Sequence, residues 1–357
     1  MRYPAGELGF RFGASAILAL LAAAFLFGDS SQSPARGASS PSKLSAFLER
    51  LSLEYDLKGE QAAKQLASGH GMKSRAGDFV PVILEPHPAV DPRNVDKPLV
   101  RALGGEIDAV SRSYVRVIVP IRKIRKLADH PDVRLVRGPT PARALAVGLG
   151  GSVSESPSLV GADALQAAGI TGAGVRVAVV DLGFVGLAQA IARGELPSDT
   201  VAVDFTATGI ESDTEHGVGV AEHLLDMAPG AKLYCIKVSD EVDLENSADY
   251  VRSQGIRVAN HSVGWVTSSY YDDTGPINAI VNRSRDTDGV LWFVAAGNDA
   301  QSHWRGSWTD GDGDGFLNFS STDERMDLLS SNSSVSLFLN WDQYGNSVTD
   351  LDLYVYT

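Results

Sequence analysis

The chain is poor in cysteine: among 357 residues Cys235 stands alone, which excludes an intramolecular disulfide framework in any compartment. It sits in the apolar run LYCIKV with nothing cationic beside it, the setting of a small buried hydrophobe in a strand and not of a reactive thiol. Basic residues are outnumbered as well, 31 Lys and Arg against 44 Asp and Glu, for a formal net charge of −13. A nucleic-acid partner needs a basic stripe to neutralise phosphates, so that class is excluded, and the acidity reads as solubility. Long apolar runs are missing too. The one apolar stretch, residues 14–27, is short for a bilayer span, and no other segment could cross a membrane. With 44% hydrophobic and 21% charged residues, the composition is that of a globular protein large enough for two or three domains.

What is present falls into consecutive blocks. Arg2 and Arg11, then residues 14–27, then GDSSQSPARGASSPS form the tripartite pattern of a secretory signal over 1–30, which places the protein outside the cell or at its surface. No clean small-x-small cleavage site is visible, so signal peptide and uncleaved anchor both stay open. Residues 31–78 read as a linker and a charged, amphipathic helical pro-segment, the helix covering 44–67. Over 79–143 the strands FVPVILEP, EIDAV, YVRVIVP and VRLVRGP alternate with helices VDKPLVRALGG and IRKIRKLADH, the order of a small split βαβ, ferredoxin-like α+β domain. This block is locally basic, with Arg112, Arg116, Arg122, Lys123, Arg125, Lys126, Arg134 and Arg137. A basic module tethered to an acidic one points to docking between them; a solvated helix face fits the charge pattern equally well.

Residues 150–300 switch to α/β alternation. VRVAVVD, VAVDF, KLYCIKV, IRVANHS and VLWFVAAGN read as strands, and HGVGVAEHLLDMA, NSADYVRSQG and PINAIVNRSRDTDG as helices. Continuous apolar strands separated by helices predict a doubly wound, mostly parallel sheet covered on both faces. A Gly/Asp/Ser-rich stretch over 299–332 breaks the rhythm. SVSLFLNWD and LDLYVYT then alternate with period two, like strands of a separate antiparallel unit within 310–357. The last residues fall inside a strand pattern, from which a truncated sequence is expected.

Three residues carry chemistry, two of them at strand ends, where open parallel sheets collect their functional groups. Asp181 closes VRVAVVD, and a carboxylate there needs a partner. His216 opens the helix HGVGVAEHLLDMA. Asn298 closes LWFVAAGN, where its amide can donate to a developing oxyanion. Each signal is weak alone, but VAVVDLGF, HGVGVAE, ANHSVGW and FVAAGN in that order resemble the subtilase family of serine peptidases over about residues 172–298. The resemblance implies that Asp181 orients, that His216 is the general base and that Asn298 is the oxyanion donor. It further implies that Ser262, Val263 and Gly264 pair with the substrate backbone, and that Ala295, Ala296 and Gly297 wall the main specificity pocket. The block 99–139 is similar to the family's propeptide, an inhibitory chaperone, with cleavage expected between about 140 and 154.

The sequence departs from the family at three points. Leu182 follows Asp181, Val218 takes the place of a threonine after His216-Gly217, and no Gly-Thr-Ser follows Asn298, so no serine nucleophile can be named. The resemblance implies that 310–357 is the start of a β-sandwich insertion which some subtilases carry before the serine; that serine is then expected beyond Thr357, and without it the chain should not hydrolyse peptides. The expectation is a secreted serine endopeptidase precursor acting on protein or peptide substrates, with an intramolecular propeptide partner. The rival is a non-catalytic subtilase-like binding or adhesion protein. No cofactor is required, but Asp310, Asp312 and Asp314 before Gly315 have a spacing suited to calcium; Ser321 stands where an EF-hand needs glutamate, which rules out that loop. Gly172 and Gly174 precede their strand, which excludes a dinucleotide fingerprint, and His223, His261 and His303 read as structural.

Overall fold

The computed structural model describes residues 42–72, 75, 77–95, 97–144, 155–266, 268–270, 272–298, 302–320, 323–328, 335–342 and 351–355. The signal and most of the linker lie outside them, as does 145–154, the greater part of the expected cleavage region. Among the described residues no helix is long and apolar enough to cross a membrane.

Ser45 caps α1 (Ala46–Lys58) by accepting from the Leu48 N–H. Gly59, at φ +85°, ends that helix and starts α2 (Glu60–Gly69), so the single expected amphipathic stretch is two helices. The left-handed turn lets both bury one face, through Leu48, Leu51, Ala63 and Ala67, in a shared core. There follow β1 (Phe79–Pro86), α3 (Lys97–Ala102), β2 (Glu106–Val110), β3 (Val115–Pro120), α4 (Ile124–Ala128) and β4 (Val133–Arg137). The four strands form one antiparallel sheet ordered β2-β3-β1-β4. Strand period sorts the two faces of β3: Val115, Val117 and Val119 enter the core under the helices, and Arg116 faces the other way.

After β5 (Arg143–Ala144) come α5 (Ser156–Val160), α6 (Ala162–Ala167), β6 (Arg176–Asp181), α7 (Leu187–Arg193), β7 (Val201–Asp204), α8 (His216–Met227), β8 (Lys232–Lys237), α9 (Glu241–Ser253), β9 (Val258–His261), β10 (Val263–Gly264), α10 (Pro276–Asp286) and β11 (Leu291–Val294). Five strands form a parallel sheet ordered β11-β9-β6-β8-β7. It is covered on both faces, as the continuous apolar strands required. Ala178 and Val180 pack with Leu244, Ala248, Val251, Ile277 and Ile280 of α9 and α10. Val177 and Val179 pack with Leu187, Ala190, Val218, Ala221 and Leu225 of α7 and α8. Cys235 is buried in β8, and burial pushes its thiol up to about 12, which keeps it unreactive.

A second sequence expectation changes. Helix α9 begins at Glu241, earlier than the apolar periodicity from Asn246, because Asp240 accepts from the Val242 and Asp243 N–H groups at 3.0 and 3.2 Å and adds an acidic first turn. Residues 335–342 and 351–355, expected as strands of a separate antiparallel unit, form no ladder among the described residues. Period-two alternation shows which side chains share a face; a ladder also needs a neighbouring edge, and no described segment supplies it.

Candidate active site

The turn after β6 is locked to the start of α8 by backbone. Gly217 donates its N–H to the Gly183 carbonyl at 3.0 Å, Phe184 donates to Ile210 at 3.0 Å, and Val185 donates to Thr214 at 3.0 Å. The approach is so close that side chains are excluded from both glycines. A Cβ on Gly183 would lie 2.7 and 2.8 Å from the Thr214 backbone, and one on Gly217 would lie 2.6 Å from the Gly183 carbonyl oxygen and 2.7 Å from the Phe184 ring. Phe184 is fully buried in the α7/α8 core, which fixes this turn to the scaffold.

This juxtaposition brings together the first two residues singled out in the sequence. His216 Nδ1 lies 3.0 and 2.9 Å from the two carboxylate oxygens of Asp181. Asp181 is wholly buried and His216 is 8% exposed, and Asp181 also accepts from the Leu182 N–H at 2.8 Å. With Nδ1–H committed to the carboxylate, Nε2 is the nitrogen free for proton transfer. The hydrogen bond to Asp181 raises the His216 pKa above its ordinary value, against the opposing effect of burial.

Two further groups hold this arrangement from behind. His261, at the end of β9, is buried and neutral: its Nδ1–H donates to the Val180 carbonyl at 2.7 Å, and its Nε2 accepts from Trp265 Nε1–H at 2.8 Å. Burial lowers its pKa, which agrees with the structural role read for it. Lys237, buried at the end of β8, reaches into the loop before α8. It donates to Thr208 Oγ1 at 2.7 Å, to the Gly209 carbonyl at 2.8 Å and to Ser212, and it pairs with Asp213 at 2.6 Å. Asp213 sits at φ +71°, so this buried cation secures a strained stretch three residues from His216. Sequence reading passed over Lys237, because its pattern is that of any strand-end lysine.

The other singled-out residues reach the same rim of the parallel sheet. Val263 and Gly264 form β10, flanked by Ser262, whose Oγ accepts from Asn260 Nδ2 at 3.0 Å. The register sets Val294 beside His261, and Ala295 donates to the His261 carbonyl at 3.2 Å. Ala295, Ala296, Gly297 and Asn298 therefore leave β11 at the carboxyl edge that also carries Asp181; all four are exposed. Apart from these, Asp310, Asp312 and Asp314 bring carboxylate oxygens within 4.8 Å of one another, and Asp310 accepts from the Gly313, Asp314 and Gly315 N–H groups.

The chain after β4 runs to this rim. Thr140 donates its N–H to Glu241 at 2.9 Å, Ala142 donates to the Ser239 carbonyl at 3.1 Å, and Arg143 and Ala144 pair antiparallel with Gly264 and Val263. The antiparallel sheet docks on α9 by charge. Arg116 donates to Asp240 at 2.6 Å and Asp243 at 3.0 Å, Arg137 pairs with Glu241, and Ser111 and Ser113 donate to Glu245 at 2.6 and 2.8 Å. Tyr114 inserts into the α9/α10 core. These buried acids were not singled out by sequence reading. The run DEVDLE beside a basic neighbouring block was the available signal.

A model of the subtilase family matches residues 172–322. Over these residues the chain is similar to the subtilase family. The matched segment contains Asp181, His216, residues 262–264 and Asn298. Among solved structures, the chain is similar to a lanthipeptide protease at 22% identity, covering 44% of this chain and 51% of that one with a TM-score of 0.33. It is similar also to the epidermin leader peptide processing serine protease of Staphylococcus aureus, at 12% identity, covering 62% and 61% with a TM-score of 0.40. The chain thus spans about half to three-fifths of the length of these structures.

Proposed function

We propose that the chain is the precursor of a secreted subtilisin-like serine endopeptidase, with residues 1–30 as its signal and the antiparallel-sheet domain as an inhibitory propeptide. The observation that carries this reading is the buried Asp181–His216 pair at the carboxyl edge of the parallel sheet. The sheet domain's tail, paired with the 263–264 strand beside it, supports the inhibitory role. In the chemistry proposed, His216 Nε2 takes the proton of a serine hydroxyl as that oxygen attacks the peptide carbonyl. Asp181 stabilises the imidazolium, Asn298 donates to the oxyanion, and His216 returns the proton to the leaving amine, giving an acyl-enzyme that water resolves. On this reading residues 1–357 alone do not turn over peptides, since no Gly-Thr-Ser follows Asn298.

No cofactor enters these steps. The oxygens of Asp310, Asp312 and Asp314 are of the kind calcium takes, and an ion there would have a structural role. A melting temperature unchanged by a calcium chelator would remove it. The protease reading is tested by His216→Ala in the full-length protein: self-processing and casein cleavage should both disappear, and their persistence would overturn the assignment.

A further inference from the structure

The docked tail presents a side chain to a segment that the mechanism does not use. Arg143 faces Gly264 across the short antiparallel pairing, and its guanidinium carbon lies 5.0 Å from the centroid of the Phe338 ring. In an antiparallel pair, directly opposed side chains normally pack on each other; glycine offers none, and the aromatic contact comes from elsewhere in the chain. Phe338 is 49% exposed, so its own segment does not bury it. That segment is tied to the chain shortly after Gly264, because Asn340 Nδ2 donates to the Ser269 carbonyl at 2.5 Å. A guanidinium over an aromatic face is held by the ring's quadrupole, and its positive charge favours arginine over a neutral side chain of equal length.

We propose that Phe338 is a specificity-determining residue which, with the Gly264 backbone, forms a subsite for arginine-bearing peptides. This rests on the reading of residues 262–264 as the substrate strand. A peptide carrying arginine at the position facing Gly264 is preferred by about two- to fivefold over one carrying a neutral residue there, the range of an exposed cation–π contact.

Two measurements test it. In the full-length precursor with His216→Ala, trypsin cuts after Arg143 only when the tail lifts off its strand, so the rate of appearance of a fragment beginning at Ala144 reports docking. Phe338→Leu should raise that rate about two- to fivefold and Phe338→Tyr should leave it near the parent value. An equal rate in parent and Phe338→Leu, or a parent cut as fast as an unfolded peptide, overturns the proposal. In the matured protein, peptides with arginine or isosteric, neutral citrulline at this position should differ in kcat/KM by the same factor. The difference should vanish in Phe338→Leu, and its survival there also overturns the proposal. If no peptide is cleaved, the protease reading fails, and the trypsin ratio still decides for or against Phe338.

Discussion

Gly217→Ala tests the steric lock that sets His216 against Asp181. The added methyl would stand 2.6 Å from the Gly183 carbonyl oxygen and 2.7 Å from the Phe184 ring, whereas real contacts of this kind essentially never fall below 3.0 Å. The oxygen belongs to backbone tied at both ends, and the ring is fully buried, so neither can swing aside. The first turn of α8 must therefore retreat by about 0.5 Å or more, and crowding of a packed site at this scale costs about 1–3 kcal/mol. Retreat lengthens the 2.9 Å contact between His216 Nδ1 and Asp181. A misplacement approaching 1 Å costs catalysis about 10²-fold. Thermal melting of the variant should show the lost stability. Peptide hydrolysis by the full-length matured protein should fall about 10²-fold in kcat with KM nearly unchanged. A variant within threefold of the parent in kcat, with an unchanged melting temperature, would refute the idea that backbone contact between these two glycines positions the imidazole.

Asp181→Asn should keep the fold and lower kcat by about 10⁴, because an amide favours the wrong tautomer. Since Asp181 raises the His216 pKa, the rising limb of the residual pH–rate profile should move to lower pH, and an unmoved limb would show that the carboxylate does not act on the base. Arg116→Ala leaves Asp240 and Asp243 buried without their shared cation, and should cost about 3–5 kcal/mol in urea unfolding of the precursor. Burial, and next the neighbouring Asp240, push the Asp243 carboxyl from 3.8 up to about 7. Against the free carboxyl of the unfolded chain, the folded precursor therefore binds more protons across that window, so its stability falls as pH rises from about 4 to 7 and levels off above. In urea unfolding this contribution should favour the precursor at pH 5 over pH 8, and Asp243→Asn should remove that part of the pH dependence.

Much of the architecture was legible because burial leaves periodic traces. The run VRVAVVD is apolar throughout because β6 is covered on both faces, and period two alone sorts Ala178 and Val180 from Val177 and Val179. The start of α9 was hidden, since its first turn is DEVDLE, whose acids look solvent-facing until Arg116 and Arg137 are seen to neutralise them. Among the described residues after 335 the period-two pattern has no ladder, because an alternating strand forms one only where a second strand lies beside it.

The sequence by itself determined most element types and the parallel sheet, and it singled out Asp181 and His216, because those depend on local pattern and on motifs in fixed order. Tertiary structure decided that the two side chains meet at 2.9 Å, that Lys237 secures the loop before the histidine, and that Arg143 lies along Gly264 and under Phe338. The reason is physical. Periodicity is a property of neighbours along the chain, whereas a hydrogen bond, an ion pair or a close backbone approach depends on how segments far apart in sequence are packed against one another.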